Sequence, residues 1–388
     1  MARFQKSKVI EISRPRQVTR LATIDALRGF AALIVLLPHS VGFFALLRSG
    51  SWCRELMSNM GVIGTHGVDV FFVLSGFVIA TTSANRRLTF PSAPHFMFRR
   101  LARIAPPYWV SIAVMLGVLQ LQSISGRNGD HLPSVPDIVA HFFYVQEIIG
   151  FGSINVVYWT LCLEIQFYLF FALASASVHA FAEHSQFDRR SIALGGLVIT
   201  AFLSVALVFT PSITVFRGLC FSHWHEFALG ILAFSFISMP TPYIKWFSLA
   251  SIFGIGTVAL LAQSWHSLTA MATALLILDC GRKGLLETRW NQSVPQYLGR
   301  ISYSLYLVHV PVIFIWLAAR ARFRPDSALV SWGFFIGMLL SSIIVAHILA
   351  LPVLEWVEIE PSEEEEDANA VVLKGAEAAC GRLDGLDG

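Results

Sequence analysis

Charge is what this chain has least of. Charged side chains make up 14% of 388 residues against 55% hydrophobic ones, and the mean hydropathy is +0.64. So little charge excludes an ordinary soluble domain. The apolar stretches are continuous and do not alternate with polar residues, which argues against a membrane β-barrel. No dense basic stripe is present either. The formal net charge is only +3 and the basic residues are dispersed, so no nucleic acid partner is expected. Cys53, Cys162, Cys220, Cys280 and Cys380 show neither metal-type spacing nor an even framework, and read as packing thiols. No internal repeat is visible, which weakens a transporter built from two related halves.

What the chain has is long apolar runs. A helix needs about 17 to 25 apolar residues to cross a hydrocarbon core about 30 Å thick. Such runs lie near residues 28–47, 66–83, 101–121, 158–180, 192–210, 217–237, 246–262, 265–280, 301–320 and 329–352. They predict an all-α polytopic membrane helical bundle with about ten transmembrane helices, since helices satisfy their own backbone groups in lipid. Thr269, Thr273 and Asp279 interrupt the eighth run, which is expected to be tilted, broken or shielded by its neighbours.

The expected organisation is a basic segment over 1–20, a membrane domain over 21–355 and an acidic tail over 356–388, with a composition that favours disorder. The first segment lacks an apolar core, so the run from Leu27 reads as a retained span, not a removed signal peptide. With the N-terminus inside, the inner segments collect most of the basic residues, among them Arg28, Arg86, Arg87, Arg99, Arg100, Arg103 and Arg300. The outer ones hold fewer: Arg48, Arg54, Arg127, Arg217, Arg320, Arg322 and Arg324. This bias predicts both termini in the cytoplasm, with Arg320, Arg322 and Arg324 as a local misfit. The long outer stretch 122–157 carries an apolar patch over 138–149 that suits an interfacial helix, a lid or a loop resting on the headgroups.

Ionisable side chains within spans are costly and mark function by default. Arg28 and His39 share the first run, separated along a helix by about 16 Å. His39 and Glu164 both fall about 9 to 12 Å beneath the outer surface, so they could meet. His309 reaches a similar layer, and Asp69 lies nearer the outer edge of the second span. An imidazole paired with a carboxylate can be held in one tautomer and serve as a general base. On the inner side, Arg100 and Arg103 share a helix face, and Arg28 and Arg300 occupy the same layer; guanidinium forks suit phosphates. Topology alone also requires basic residues there. Tyr108, Trp109, Tyr158, Trp159 and Tyr168 read mostly as interfacial belt residues. His223, His225 and Glu226 resemble a metal cluster only superficially, because i and i+2 positions point to different helix faces, and no metal is expected.

These residues fall in a recognisable order. The series Ile24-Asp25-Ala26-Leu27-Arg28-Gly29-Phe30-Ala31-Ala32 with His39, Gly67-Val68-Asp69-Val70-Phe71-Phe72-Val73-Leu74-Ser75-Gly76-Phe77, the Arg100 and Arg103 pair, Trp159 through Glu164 to Phe167-Tyr168, and Leu298-Gly299-Arg300 through Tyr306 to His309 resembles the membrane acyltransferase family 3. Within it the chain looks like the exopolysaccharide-modifying O-acetyltransferases. The resemblance implies ten membrane helices that move an acyl group, commonly acetyl from cytoplasmic acetyl-CoA, to a hydroxyl of a lipid-linked or extracytoplasmic glycan, in a bacterial inner membrane. It implies His39 as the catalytic histidine, Arg28 as its companion, Arg100 and Arg103 as the donor-side pair, and Glu164 as a site residue. Arg300 is expected to join the donor side, and Asp69, His309 and Tyr168 the substrate side. Pro38 before His39 and His223 before the Glu226-Phe227 pair depart from the family pattern. A proton-coupled transporter or flippase of a glycan or lipid is the rival reading, and it predicts substrate movement without consumption of acyl-CoA.

Overall fold

In the computed structural model the chain is helical, with no strand among the described residues, which are 21–359 without 46, 48–50, 85, 125–131, 210–217 and 324–326. The basic segment 1–20, the tail from 360, Arg48, Arg127, Arg217, Arg324 and Cys380 lie outside them. In chain order the helices are α1 Ala22–Ser40, α2 Trp52–Thr65, α3 Gly67–Ser83, α4 Ala93–Ile124, α5 Val135–Phe142, α6 Gln146–Ile149, α7 Trp159–Glu183, α8 Arg189–Ala206, α9 Trp224–Ser238, α10 Pro242–Leu261, α11 Trp265–Arg282, α12 Ser293–Phe323 and α13 Ala328–Ile359.

Each of the expected spans falls on a helix, and among the described residues 8 helical runs are long and apolar enough to cross a membrane. The chain is a multi-pass helical membrane protein. The two spans outside that group are α9, apolar but only 15 residues long, and the polar-interrupted α11. One helix was not expected. Arg54, Glu55, Ser58 and Asn59 keep α2 below the apolar threshold, yet it joins α3 through His66 into one run from Trp52 to Ser83, 32 residues long. Asp69 lies within that run, just past its junction at His66.

Glycines decide how closely the helices approach. A Cβ on Gly29 of α1 would lie 2.7 Å from the Gly299 nitrogen of α12, and one on Gly299 would lie 2.4 Å from the Asp25 carbonyl oxygen. This contact aligns α1 with α12, so Arg28 and Arg300 share a level and His39 meets His309 further along. A Cβ on Gly76 of α3 would sit 1.9 Å from the Phe227 carbonyl oxygen of α9. Neither helix pair tolerates a larger residue there without moving apart. The outer stretch forms α5 and α6, with a Ser134–Asp137 capping box opening α5 and Gly150 closing α6 at φ 74°. Trp109 of α4 stacks on Phe142 with ring centroids 4.3 Å apart and its indole N–H donates to the Phe142 carbonyl.

Candidate active site

Prolines flank the two central histidines. Pro38 lacks an N–H, so the Ile34 carbonyl is released from the helical ladder of α1. Gly64 of α2 fits against that place, where a Cβ would meet Pro38 Cδ at 2.4 Å and the Ile34 oxygen at 2.7 Å. Pro38 is thus the seat on which the helix run from Trp52 packs, and this accounts for its place beside His39. Directly after it, the His39 ring lies 5.4 Å from the ring of His309, tilted by 44°. His309 is fully buried, and its Nδ1 lies 3.2 Å from the Leu305 carbonyl oxygen. A carbonyl can only accept, so Nδ1 carries the proton and Nε2 is left as an acceptor. That Nε2 has no hydrogen-bond partner among the described residues.

A second polar chain runs from this pair toward the arginines. The Tyr306 ring of α12 lies 5.9 Å from that of His309, and its hydroxyl bonds the Thr160 hydroxyl of α7 at 2.6 Å. Glu164 follows one turn later on the same face of α7, and Tyr168 one turn after that. The Glu164 carboxylate accepts from Ser75 of α3 at 2.9 Å and from the Tyr168 hydroxyl. The Arg100 guanidinium stands 5.7 Å from the centre of the Tyr168 ring and donates to the Thr82 hydroxyl. Tyr303, three residues past Arg300, donates to the Ile104 carbonyl beside Arg103 at 2.8 Å, which brings α4 and α12 to a common level. Arg28 and Arg100 are half-buried, whereas Arg103 and Arg300 are exposed.

A third cluster lies among α3, α9 and α11. Asp69 is 2% exposed and is flanked by His66 Nδ1 at 3.1 Å and His266 Nδ1 at 3.0 Å from Oδ2. Glu226, 1% exposed, accepts from His223 Nδ1 at 3.0 Å. His225 is a packing residue: both ring nitrogens are taken, Nδ1 by Ser204 at 2.9 Å and Nε2 by Ser267 at 2.8 Å.

With this geometry in place, likeness to known proteins decides the class. A family model described as an acyltransferase domain, of family 3, matches residues 21–351. This chain belongs to the membrane acyltransferase family 3. Among its relatives are the acyltransferase MdmB of Streptomyces mycarofaciens, 27% identical over 326 residues that cover 77% of this chain and 80% of that protein. The exopolysaccharide production protein ExoZ of Rhizobium meliloti (strain 1021) is 28% identical over 265 residues, 64% of this chain and 76% of its own. The peptidoglycan O-acetyltransferase OatA of Listeria monocytogenes is 28% identical over 160 residues, 38% of this chain and 23% of that protein. No solved structure matches. The protein is an acyltransferase enzyme.

Several expectations change within this acyltransferase. Glu164 was expected to meet His39, but its described bonds go to Ser75 and Tyr168, and His309 is the ring beside His39. Tyr108, Tyr158 and Tyr168 are buried and are not belt residues. Their hydroxyls or rings find protein partners, such as Ser111 for Tyr158 and the Tyr144 ring for Tyr108. Arg320 is 2% exposed and donates to Ser331 of α13 at 3.0 Å, so it is not a free outer-loop charge. Thr160, Ser75, Thr82 and Tyr306 escaped sequence reading because neutral hydroxyls in apolar helices carry no charge signal. Thr160 four residues before Glu164, Ser75 seven before Thr82 and Tyr306 three before His309 were the available spacings.

Proposed function

We propose that this acyltransferase moves an acetyl group from cytoplasmic acetyl-CoA to a hydroxyl of a lipid-linked or extracytoplasmic polysaccharide, within the inner membrane of a bacterium and with both termini cytoplasmic. In this reading the apparatus belongs to the membrane domain 21–355, apart from the segments 1–20 and 356–388. One observation carries it. Arg28 and His39 lie about three turns apart on one face of α1: Arg28 stands beside the Gly29–Gly299 contact at the level of Arg300, and His39 meets the His309 ring.

The donor's phosphates would lie among Arg28, Arg100, Arg103 and Arg300, whose donor forks match phosphate oxygens. The pantetheine arm would extend outward past Tyr168 and Glu164 to place the thioester beside His39. There the imidazole takes the proton of the attacking sugar hydroxyl. The sugar oxygen bonds the carbonyl carbon, the carbon–sulfur bond breaks, and the leaving thiolate takes up the proton from His39. His309, fixed by Leu305, packs its ring against that of His39 and steadies it, with Asp69 and Tyr168 on the substrate side. ExoZ and OatA, a polysaccharide production protein and a peptidoglycan O-acetyltransferase, support the glycan as acceptor.

The test is mass spectrometry of surface polysaccharide from cells with the wild-type protein, without it, and with His39→Ala. The expected outcome is an acetyl increment present only with wild type while the variant reaches normal membrane abundance. An increment that persists in His39→Ala defeats the assignment of the base. Acetylation unchanged by loss of the protein defeats the reaction.

A further inference from the structure

Two carboxylates stand buried in one part of this membrane protein without a fixed positive charge. Asp69 and Glu226 are 2% and 1% exposed. Among the described residues no lysine or arginine pairs with either. Their partners are imidazoles: His66 and His266 on Asp69, His223 on Glu226. The second oxygen of Glu226, Oε2, is buried without a hydrogen-bond partner. Burying a carboxylate in an apolar bundle costs several kcal/mol unless a positive charge compensates it. An imidazole supplies hydrogen bonds, and charge only when it is protonated.

The atoms around Asp69 are arranged as a divalent cation requires. His66 Nδ1, an Asp69 carboxylate oxygen and His266 Nδ1 all lie within 4.8 Å of one another. Two of the edges, His66 Nδ1 to Asp69 Oδ2 and His266 Nδ1 to Asp69 Oδ2, are 3.1 and 3.0 Å. Zinc bound at about 2.0 to 2.1 Å in a tetrahedron separates its ligand atoms by about 3.3 Å, so these edges need to open only slightly. The two rings stand 4.5 Å apart and tilted by 39°, so both present Nδ1 to the same carboxylate. The His266 side chain is 54% exposed, which gives an ion a way in. Three protein ligands of this type leave a fourth position open.

We propose that His66, Asp69 and His266 form a binding site for a divalent transition-metal ion of the zinc class, set between α3 and α11 and separate from the His39–His309 pair. Each imidazole then binds through Nδ1 and keeps its proton on Nε2. The Thr269 hydroxyl, 3.3 Å from His66 Nδ1, borders the ligand set and gives up that contact when the ion binds. No sequence spacing discloses this site, because His266 is 197 residues beyond Asp69.

Tag-free protein purified in detergent with acidic contaminant metal removed provides the test, with Zn2+ itself as the probe in equilibrium dialysis and Co2+ as an optical reporter. The expected result is one tightly held Zn2+ per chain, visible-range absorption of tetrahedral Co2+, and affinity reduced at least about tenfold in both His266→Ala and Asp69→Asn. His39→Ala should bind as wild type does. Wild-type protein that holds no stoichiometric Zn2+ overturns the proposal without reference to any variant. So does binding that His266→Ala, shown to be monodisperse and folded, leaves unchanged. Because no acyl donor enters the measurement, its failure is distinct from failure of the acetyl-transfer reading.

Discussion

Two groups of histidines share this bundle and are held in opposite ways. His39 and His309, between α1 and α12, touch each other as rings, and His309 Nε2 is left without a partner among the described residues. The histidines among α3, α9 and α11 are bonded to carboxylates or serines, and both nitrogens of His225 are occupied. A carboxylate can only accept, so the imidazoles on Asp69 and Glu226 donate from Nδ1 and are fixed in place, whereas His225, bonded to serines at both nitrogens, has none left for a substrate. The His39–His309 pair is packed but incompletely bonded, as acid–base chemistry requires. In the readings proposed above, turnover belongs to the first group and cohesion or ion binding to the second.

The sharpest way to break that division is to remove one imidazole from each group. His39→Ala should lower acetyl transfer by about 10²-fold or more, with membrane abundance unchanged, measured by acetyl content of the polysaccharide. Next in size, Arg100→Lys should raise the KM for the acyl donor about tenfold with a smaller change in kcat. A point charge cannot reproduce the fork that reaches Thr82 while covering the Tyr168 ring. His225→Leu should act on stability instead: Ser204 and Ser267 each lose a partner, a cost of about 1 to 3 kcal/mol seen as a lower melting temperature in detergent. Turnover per folded molecule should stay near wild type. Equal loss of turnover in His225→Leu and His39→Ala would erase the distinction between the groups.

The smallest expected effect lies outside the bundle. The Ser134 hydroxyl and backbone N–H hold the Asp137 carboxyl below the usual carboxylate range. A lowered value in the folded state means that the contribution is complete above the ordinary value of about 4 and is lost as pH falls through it. Hydrogen-exchange protection of α5, corrected for intrinsic rates, should therefore decline on acidification in wild type and stay flat in Asp137→Asn.

The bundle was legible because lipid demands long apolar helices, and each predicted run coincides with a helix. What composition could not give was α2, whose Arg54 and Glu55 mask a helix that continues into α3. His39, Arg28 and Arg100 were visible as ions in apolar surroundings. Depth along separate helices placed Glu164 beside His39, but depth says nothing of rotation about the axis, and Glu164 turns instead to Ser75 and Tyr168. The pairing of His66 with His266 was hidden for a related reason, since contact across two distant helices leaves no mark in local spacing.

The seat that Pro38 makes for Gly64 has a mechanical result. Any rise, fall or roll of the long helix carrying Ser75, Asp69 and His66 presses on the turn immediately ahead of His39. A displacement of that helix is thereby transmitted to the aim of the His39 imidazole.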